Sequence, residues 1–213
     1  AAERAETAGF HGVELHCAHG YILGQFLSPE INKRDDEFGG TLEKRSRVIF
    51  DIIKGIRESC REDFCVGVRL SPERFGQRLS ESRETAQRLM YEGEIDFLDM
   101  SLWDVFKEPE EEEFKGRRLI DYFTELNRGE VLLGVAGKIM SSSDVNDSLN
   151  AGADFVLIGR GAILHHDFPK LAAASKEFQT IQLPVSIDYL RAQGLSEAFL
   201  AYMKTWKGFV ADH

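Results

Sequence analysis

Apolar and polar positions along this chain follow two periods that take turns. From Ala1 to Ala8 the spacing is that of an amphipathic helix, with Gly9 as its stop. Phe10 to His16 then alternates like a strand, with Val13 and Leu15 on one face. Gly20 to Phe38 is polar and reads as a long loop closed by Gly39 and Gly40, and Thr41 stands where a helix N-cap belongs. Val48, Ile49, Ile52, Ile53 and Ile56 recur at helical spacing. The unit repeats. Cys65–Leu70 reads as a strand, Ser80–Tyr91 as a helix ending at Gly93, and Phe97–Ser101 as a strand. After an acidic stretch, Leu119–Leu126 reads as a helix, Val131–Ala136 as a strand, Ser143–Asn150 as a helix stopped by Gly152, and Phe155–Ile158 as a strand. From Phe168 onward the pattern is helical, with no further strand.

Strands alternating with helices predict a parallel sheet buried on both faces. No dinucleotide fingerprint follows any strand, which favours the α/β class of the TIM (β/α)8 barrel over a doubly wound sheet. A full barrel takes eight strands and roughly 250 residues. The pattern here yields the last five βα units, starting inside a helix, so the expectation is a truncated barrel without its first three strands and with two raw sheet edges. Residues 1–213 are expected to form a single domain, with 168–213 as a C-terminal helical segment of it.

Composition narrows the partners. The chain has 213 residues, 43% of them hydrophobic, and a formal net charge of -10. That charge repels phosphate backbones and speaks against nucleic acid, while leaving room for a local site for one phosphate. No run approaches the roughly 18 apolar residues of a membrane span, and Ala1-Ala2-Glu3-Arg4 does not read as a secretory leader. Cys17, Cys60 and Cys65 are few and match no zinc spacing, so a reducing cytoplasm is expected rather than a disulfide framework. Glu110 to Glu113 reads as a solvated loop, since like charges repel and stay wet.

Candidate chemistry sits at the strand ends: His16 with His19, Arg69 with Ser71, Ser101, Gly137 with Lys138, and Gly159 with Arg160. In a barrel these ends converge on one face, where active sites lie. Gly137 and Gly159 allow a backbone to approach an anion closely, and Arg160 supplies a planar charged fork, which together suit a phosphate. The plainer reading is that these glycines only make tight turns. His16 and His19 admit three readings: a metal pair, for which carboxylate ligands in register are missing, two structural histidines, or two donors to a carbonyl oxygen or oxyanion. Tyr21 lies close enough in sequence to serve as a proton donor. Cys17, between the histidines, is either a thiol of lowered pKa or a small residue that fits. Arg69 in a strand needs a partner, with Asp99 as one candidate, or else faces negative charge on a bound cofactor.

Four stretches carry a resemblance. Ala8 through Pro29, Asn32 through Gly40, Val68 through Pro72 and Gly152 through Arg160 run in the order of, and closely resemble, the old yellow enzyme family of FMN-dependent NAD(P)H oxidoreductases. The resemblance implies a TIM barrel holding FMN non-covalently at its C-terminal face. It implies that His16 and His19 grip the activating oxygen of an enone-like small-molecule acceptor, that Tyr21 donates the proton, that Arg69 faces the pyrimidine edge of the flavin, and that Gly137, Lys138, Gly159 and Arg160 form the flavin phosphate site. NADH or NADPH would be the hydride donor and an activated alkene the acceptor. This chain departs from the pattern at Cys17, where Gly or Ser is usual, at Lys138, where glycine is common, and at His165-His166-Asp167, where Asn-Pro-Asp is usual. Two other readings stand beside it. One is a non-catalytic truncated barrel remnant, which raw edges and exposed apolar core leave unstable, self-associating or without activity, and a homo-oligomer is among the assemblies to expect. The other is a different phosphate-binding TIM-barrel enzyme, such as an isomerase or aldolase.

Overall fold

The computed structural model describes residues 1–92 and 94–211. Gly93, the expected stop of the second long helix, lies outside the described residues. In chain order the elements are α1 (Ala2–Thr7), β1 (Gly12–Cys17), α2 (Ile22–Leu27), α3 (Leu42–Ser59), β2 (Cys65–Leu70), α4 (Leu79–Glu92), β3 (Phe97–Ser101), a 3-10 turn at Glu112–Phe114, α5 (Asp121–Thr124), β4 (Leu132–Ala136), α6 (Ser142–Asn150), β5 (Phe155–Leu157), α7 (Arg160–Leu164), α8 (Phe168–Ala174), α9 (Ile187–Ala192) and α10 (Glu197–Met203). The five strands pair in sequence order and in parallel throughout. This is the sheet of a partial (β/α)8 barrel.

Strand period and register sort the side chains into two faces. Val66, Val68, Leu98, Met100, Leu133 and Val135 point outward and are fully buried. They pack with Ile49, Ile53 and Ile56 of α3 and Leu79, Leu89 and Met90 of α4 in one continuous core. The helices are started by the expected chemistry: Thr41 Oγ1 accepts from Lys44 N–H at 3.4 Å, and Ser141 Oγ accepts from Asp144 N–H at 3.1 Å. The inward face is different. His16, Arg69, Asp99 and Gly134 lie in register across four strands. Phe97 lies over Gly67 and Phe155 over Gly134, where a Cβ would overlap the ring, and the two rings meet edge to face with centroids 5.9 Å apart. Burial on both faces was the expectation. The inward face is instead half-exposed, because it carries polar and small residues and Leu132, at the foot of β4, is 51% exposed.

Other boundaries shift for local reasons. The 20–38 stretch is not all loop: α2 forms within it, opened by Gln25 N–H donating to Tyr21 C=O at 2.8 Å. Phe10 does not join β1. Its N–H caps α1 through Ala5 C=O at 3.0 Å, and its side chain is exposed. The helix expected over 119–126 shrinks to α5, while Leu119 and Ile120 are buried ahead of it. Helix α7 starts directly at Arg160, before the helical pattern was expected to resume. Beyond α8, residues Val185, Ile187, Leu190, Leu200, Met203 and Phe209 gather with Leu164 into a second, smaller core. Among the described residues no helix is long and apolar enough to cross a membrane.

Candidate functional site

At the end of β1 the chain turns sharply through two left-handed residues, His19 at φ 58° and Gly20 at φ 72°. Gly20 is needed there, because a Cβ would come within 2.9 Å of the Phe75 ring. The turn stacks three side chains. His19 Nδ1 lies 3.4 Å from His16 Nε2, and the Tyr21 ring centroid lies 5.2 Å from that of His16. The Tyr21 side chain is exposed, at 64%. Burial lowers the pKa of both histidines, with Arg69 adding to the effect on His16, and His16 and then Arg69 adding to it on His19. Both are therefore neutral at neutral pH, each with one N–H to donate and one ring nitrogen to accept.

This turn is anchored to the neighbouring loop. His19 N–H donates to Ser71 Oγ at 3.0 Å, Gln25 Nε2 to Gly20 C=O at 2.7 Å, Gln77 Nε2 to Gly24 C=O at 2.7 Å, and Ser28 Oγ to Gly76 C=O at 2.9 Å. Asn32 Nδ2 closes the rest of the lobe on Phe26 C=O and Phe38 C=O, both at 2.7 Å. Gln25, Ser28 and Asn32 are thus the frame that holds His16, His19 and Tyr21. Cys17 faces the outer core and is buried there, and burial followed by Glu14 pushes its thiol pKa strongly up. An activated thiol is excluded, leaving the small residue that fits.

One layer along the sheet, Arg69 meets the partner expected for it, Asp99. Its Nε is bound by Asp99 and also lies 3.0 Å from Glu14 Oε1. Among the described residues its two Nη groups make no hydrogen bond within the protein, so the fork is left to the inward face. Arg69 is half-buried, less enclosed than a buried strand suggested. Asp99 is completely buried, and its Oδ1 has no partner. Burial raises its pKa from 3.8 to about 7, with Arg69 pulling down and Glu14 pushing up. The ion pair is real in geometry, but desolvation is the larger effect.

At the ends of β4 and β5 a cavity of about 170 Å³ opens, lined among others by Trp103, Gly137, Lys138, Met140, Gly159 and Arg160. The four phosphate-site candidates are therefore brought together. Their reasons differ. A Cβ on Gly137, at φ 150°, would strike the Trp103–Asp104 backbone at 2.7 Å, so that glycine serves internal packing. A Cβ on Gly159 would meet nothing within 4 Å, so its backbone faces open space. Lys138 takes φ 51°, the conformation a glycine would adopt, and its Nζ is held by Asp104 Oδ2 at 2.9 Å. The Arg160 guanidinium lies 5.9 Å from the centroid of the Trp206 ring. Ser101 is half-buried at the end of β3, in register with Ala136.

The acidic run is not merely wet. Glu110 pairs with Arg74 at 2.7 Å and with Lys107 at 3.2 Å, and Glu111 accepts from Leu79 N–H at 2.5 Å at the head of α4. Arg74 also stacks 4.6 Å from the Trp103 ring centroid. Among the described residues the non-glycine positions with positive φ are His19, Arg74, Phe75, Trp103 and Lys138, and all lie in loops that follow β1, β2, β3 and β4. Trp103, Met140 and Glu14 were missed from sequence. Trp103 alone carried a signal, as an aromatic two residues beyond a strand end. No three His, Cys, Asp or Glu side chains gather as a metal site would require among the described residues.

A flavin mononucleotide needs an anion subsite, a cation near its pyrimidine edge and an apolar floor. The residues present fit it: Gly159 and Arg160 at the open cavity, Ala136 and Leu157 in the lining of that cavity, and the Nη groups of Arg69 on the inward face of the sheet.

Residues 1–178 match the sequence profile of the NADH:flavin oxidoreductase / NADH oxidase family. An NADH oxidase of Thermoanaerobacter brockii is 35% identical over 188 residues, covering 83% of this chain and 28% of the relative. An NADPH dehydrogenase of Bacillus licheniformis is 33% identical over 190 residues, covering 88% of this chain and 55% of the relative. Among solved structures, morphinone reductase in complex with tetrahydroNAD superposes with a TM-score of 0.66 at 25% identity, over 88% of this chain and 49% of that one. The chain thus spans from about a quarter to just over half the length of these relatives.

Proposed function

The chain belongs to the NADH:flavin oxidoreductase / NADH oxidase family, and on that premise we propose that it forms the substrate-facing part of an FMN-dependent, NAD(P)H-driven ene-reductase. The observation that carries this reading is the convergence, on one end of one sheet, of the His16–His19–Tyr21 cluster, the free fork of Arg69 and the open cavity at Gly159 and Arg160.

Bound FMN would supply the two-electron relay between NAD(P)H and the acceptor. The chain supplies the rest. Arg160, with backbone N–H groups around Gly159, holds the phosphate. Arg69 places a fixed cation where negative charge collects, and Asp99 and Glu14 fix it through Nε. Neutral His16 and His19 each offer an N–H to the acceptor oxygen and stabilise enolate charge as it develops. The Tyr21 hydroxyl, exposed beside His16, delivers a proton to the α-carbon. Lys138 contributes its left-handed backbone, since its ammonium is held by Asp104. Cys17, Cys60 and Cys65 are free thiols, which supports a cytoplasmic setting.

The test is to titrate the chain with FMN and follow NAD(P)H oxidation with 2-cyclohexenone as acceptor. Tyr21→Phe should slow alkene reduction by about 10²- to 10⁴-fold, the usual worth of a general acid, while sparing reduction of the cofactor by NAD(P)H. Equal loss in both half-reactions would remove Tyr21 from the proton path. A chain that takes up no flavin would overturn the reading as a whole.

A further inference from the structure

The cavity at the ends of β4 and β5 does not stand on the sheet alone. Its β4-side lip includes Met140, and Met140 packs against the second core. On the β5 side, Ile163 of α7 packs there too, and Leu164 is a buried member of that core. The segment after α8 stitches the two lips together. Ser142 N–H donates to Phe178 C=O at 2.9 Å, Thr180 N–H to Met140 C=O at 2.9 Å, and Ile181 N–H to His165 Nε2 at 3.0 Å. The Tyr189 hydroxyl of α9 then donates to Leu164 C=O at 2.8 Å. The family profile ends at residue 178, so most of this unit lies outside it.

The two cations of the cavity are held in opposite ways. Lys138 is exposed and paired with Asp104 at 2.9 Å, so a carboxylate offsets its charge. Arg160 has no carboxylate partner among the described residues, and lies instead over the Trp206 ring. Trp206 is itself held edge-on by Phe209 at 5.5 Å and Tyr202 at 5.7 Å. An aromatic face orients a guanidinium without neutralising it. A carboxylate in the same place would fix the side chain equally well and cancel the charge an anion needs.

We propose that residues 179–211 set the shape of the anion pocket and that Trp206 is the positioning residue for Arg160. This rests on the reading of the pocket as a phosphate site. Trp206 does not line the cavity and acts through the arginine, so its removal should weaken recognition of the phosphate and leave recognition of the isoalloxazine ring alone.

FMN and riboflavin, which differ by that phosphate, separate the two effects. Their affinities for the full chain are measured by flavin fluorescence, for the native sequence and for Trp206→Leu and Trp206→Phe. The native chain should prefer FMN. Trp206→Leu should lose about two- to five-fold in FMN affinity, the worth of an exposed cation–π contact, with riboflavin unchanged, and Trp206→Phe should keep most of the preference. If both ligands weaken together, or neither does, Trp206 is only structural and the inference falls. A native chain that binds FMN no better than riboflavin overturns the phosphate site itself, and the inference with it. Should Trp206→Leu not fold, Trp206→Gln makes the same test: it keeps a side chain of some length and removes the aromatic face, so an unchanged FMN preference overturns the proposal.

Discussion

The outward and inward faces of the sheet come from the same strands and the same two-residue alternation, yet they are built to opposite ends. Outward, Val66, Val68, Leu98, Met100, Leu133 and Val135 are interchangeable in kind, fully buried and covered by helices. Inward, Glu14, His16, Arg69 and Asp99 are each particular: the first three are partly open, Asp99 is fully buried, and Arg69 ties Glu14 and Asp99 together across strands. Stability is concentrated on one side, where apolar area leaves water. Charge is concentrated on the other, where desolvation and pairing are left in unstable balance. The sheet separates the two duties by one peptide unit.

The largest effect that would break this contrast is on the outer face. Leu98→Ala should cost about 2–5 kcal/mol, the range for truncating a buried leucine, read as a fall in the denaturant midpoint. A cost no greater than that of a surface change would show the outer face to be loosely packed. Next comes Asp99. Its carboxyl is harder to ionise folded than unfolded, so the folded chain keeps the proton to higher pH. Stability should therefore fall as pH rises from 3.8 to about 7 and level off above, and Asp99→Asn should abolish that slope in unfolding curves taken across the range. The smallest effect sharpens the contrast further. By NMR, His16 and His19 should titrate below 6.5, and Arg69→Met should let His16 rise only part of the way back, because burial is the larger cause. The neutral histidines favour the folded state above 6.5, and that contribution is lost as pH falls below it.

How much of this was legible follows the same division. The outward face announces itself, since an alternating apolar run is a strand whatever lies beside it, and β2 and β3 sit where the pattern put them. The cluster at His16, His19 and Tyr21 was also legible, because a local turn brings it together. Helix α2 was not: six residues with a central glycine and no capping side chain carry little helical signal, and the fold holds them by Gln77 and Arg45 from elsewhere. The layer of Glu14, Arg69 and Asp99 depends on register between strands, so sequence suggested one partner and missed the other. Glu110 looked like surface because its partners, Arg74 and Lys107, are declared only by the packing of two loops. Trp206 is separated from Arg160 by a segment whose path no local pattern dictates.

The left-handed residues His19, Arg74, Phe75, Trp103 and Lys138 have a consequence for the cost of binding. A free chain rarely visits such conformations away from glycine, so loops that contain them have surrendered their conformational freedom at folding. A ligand that arrives later finds these residues already arranged and has less disorder to remove. Affinity at this end of the sheet is thus partly stored in the backbone before any ligand is met.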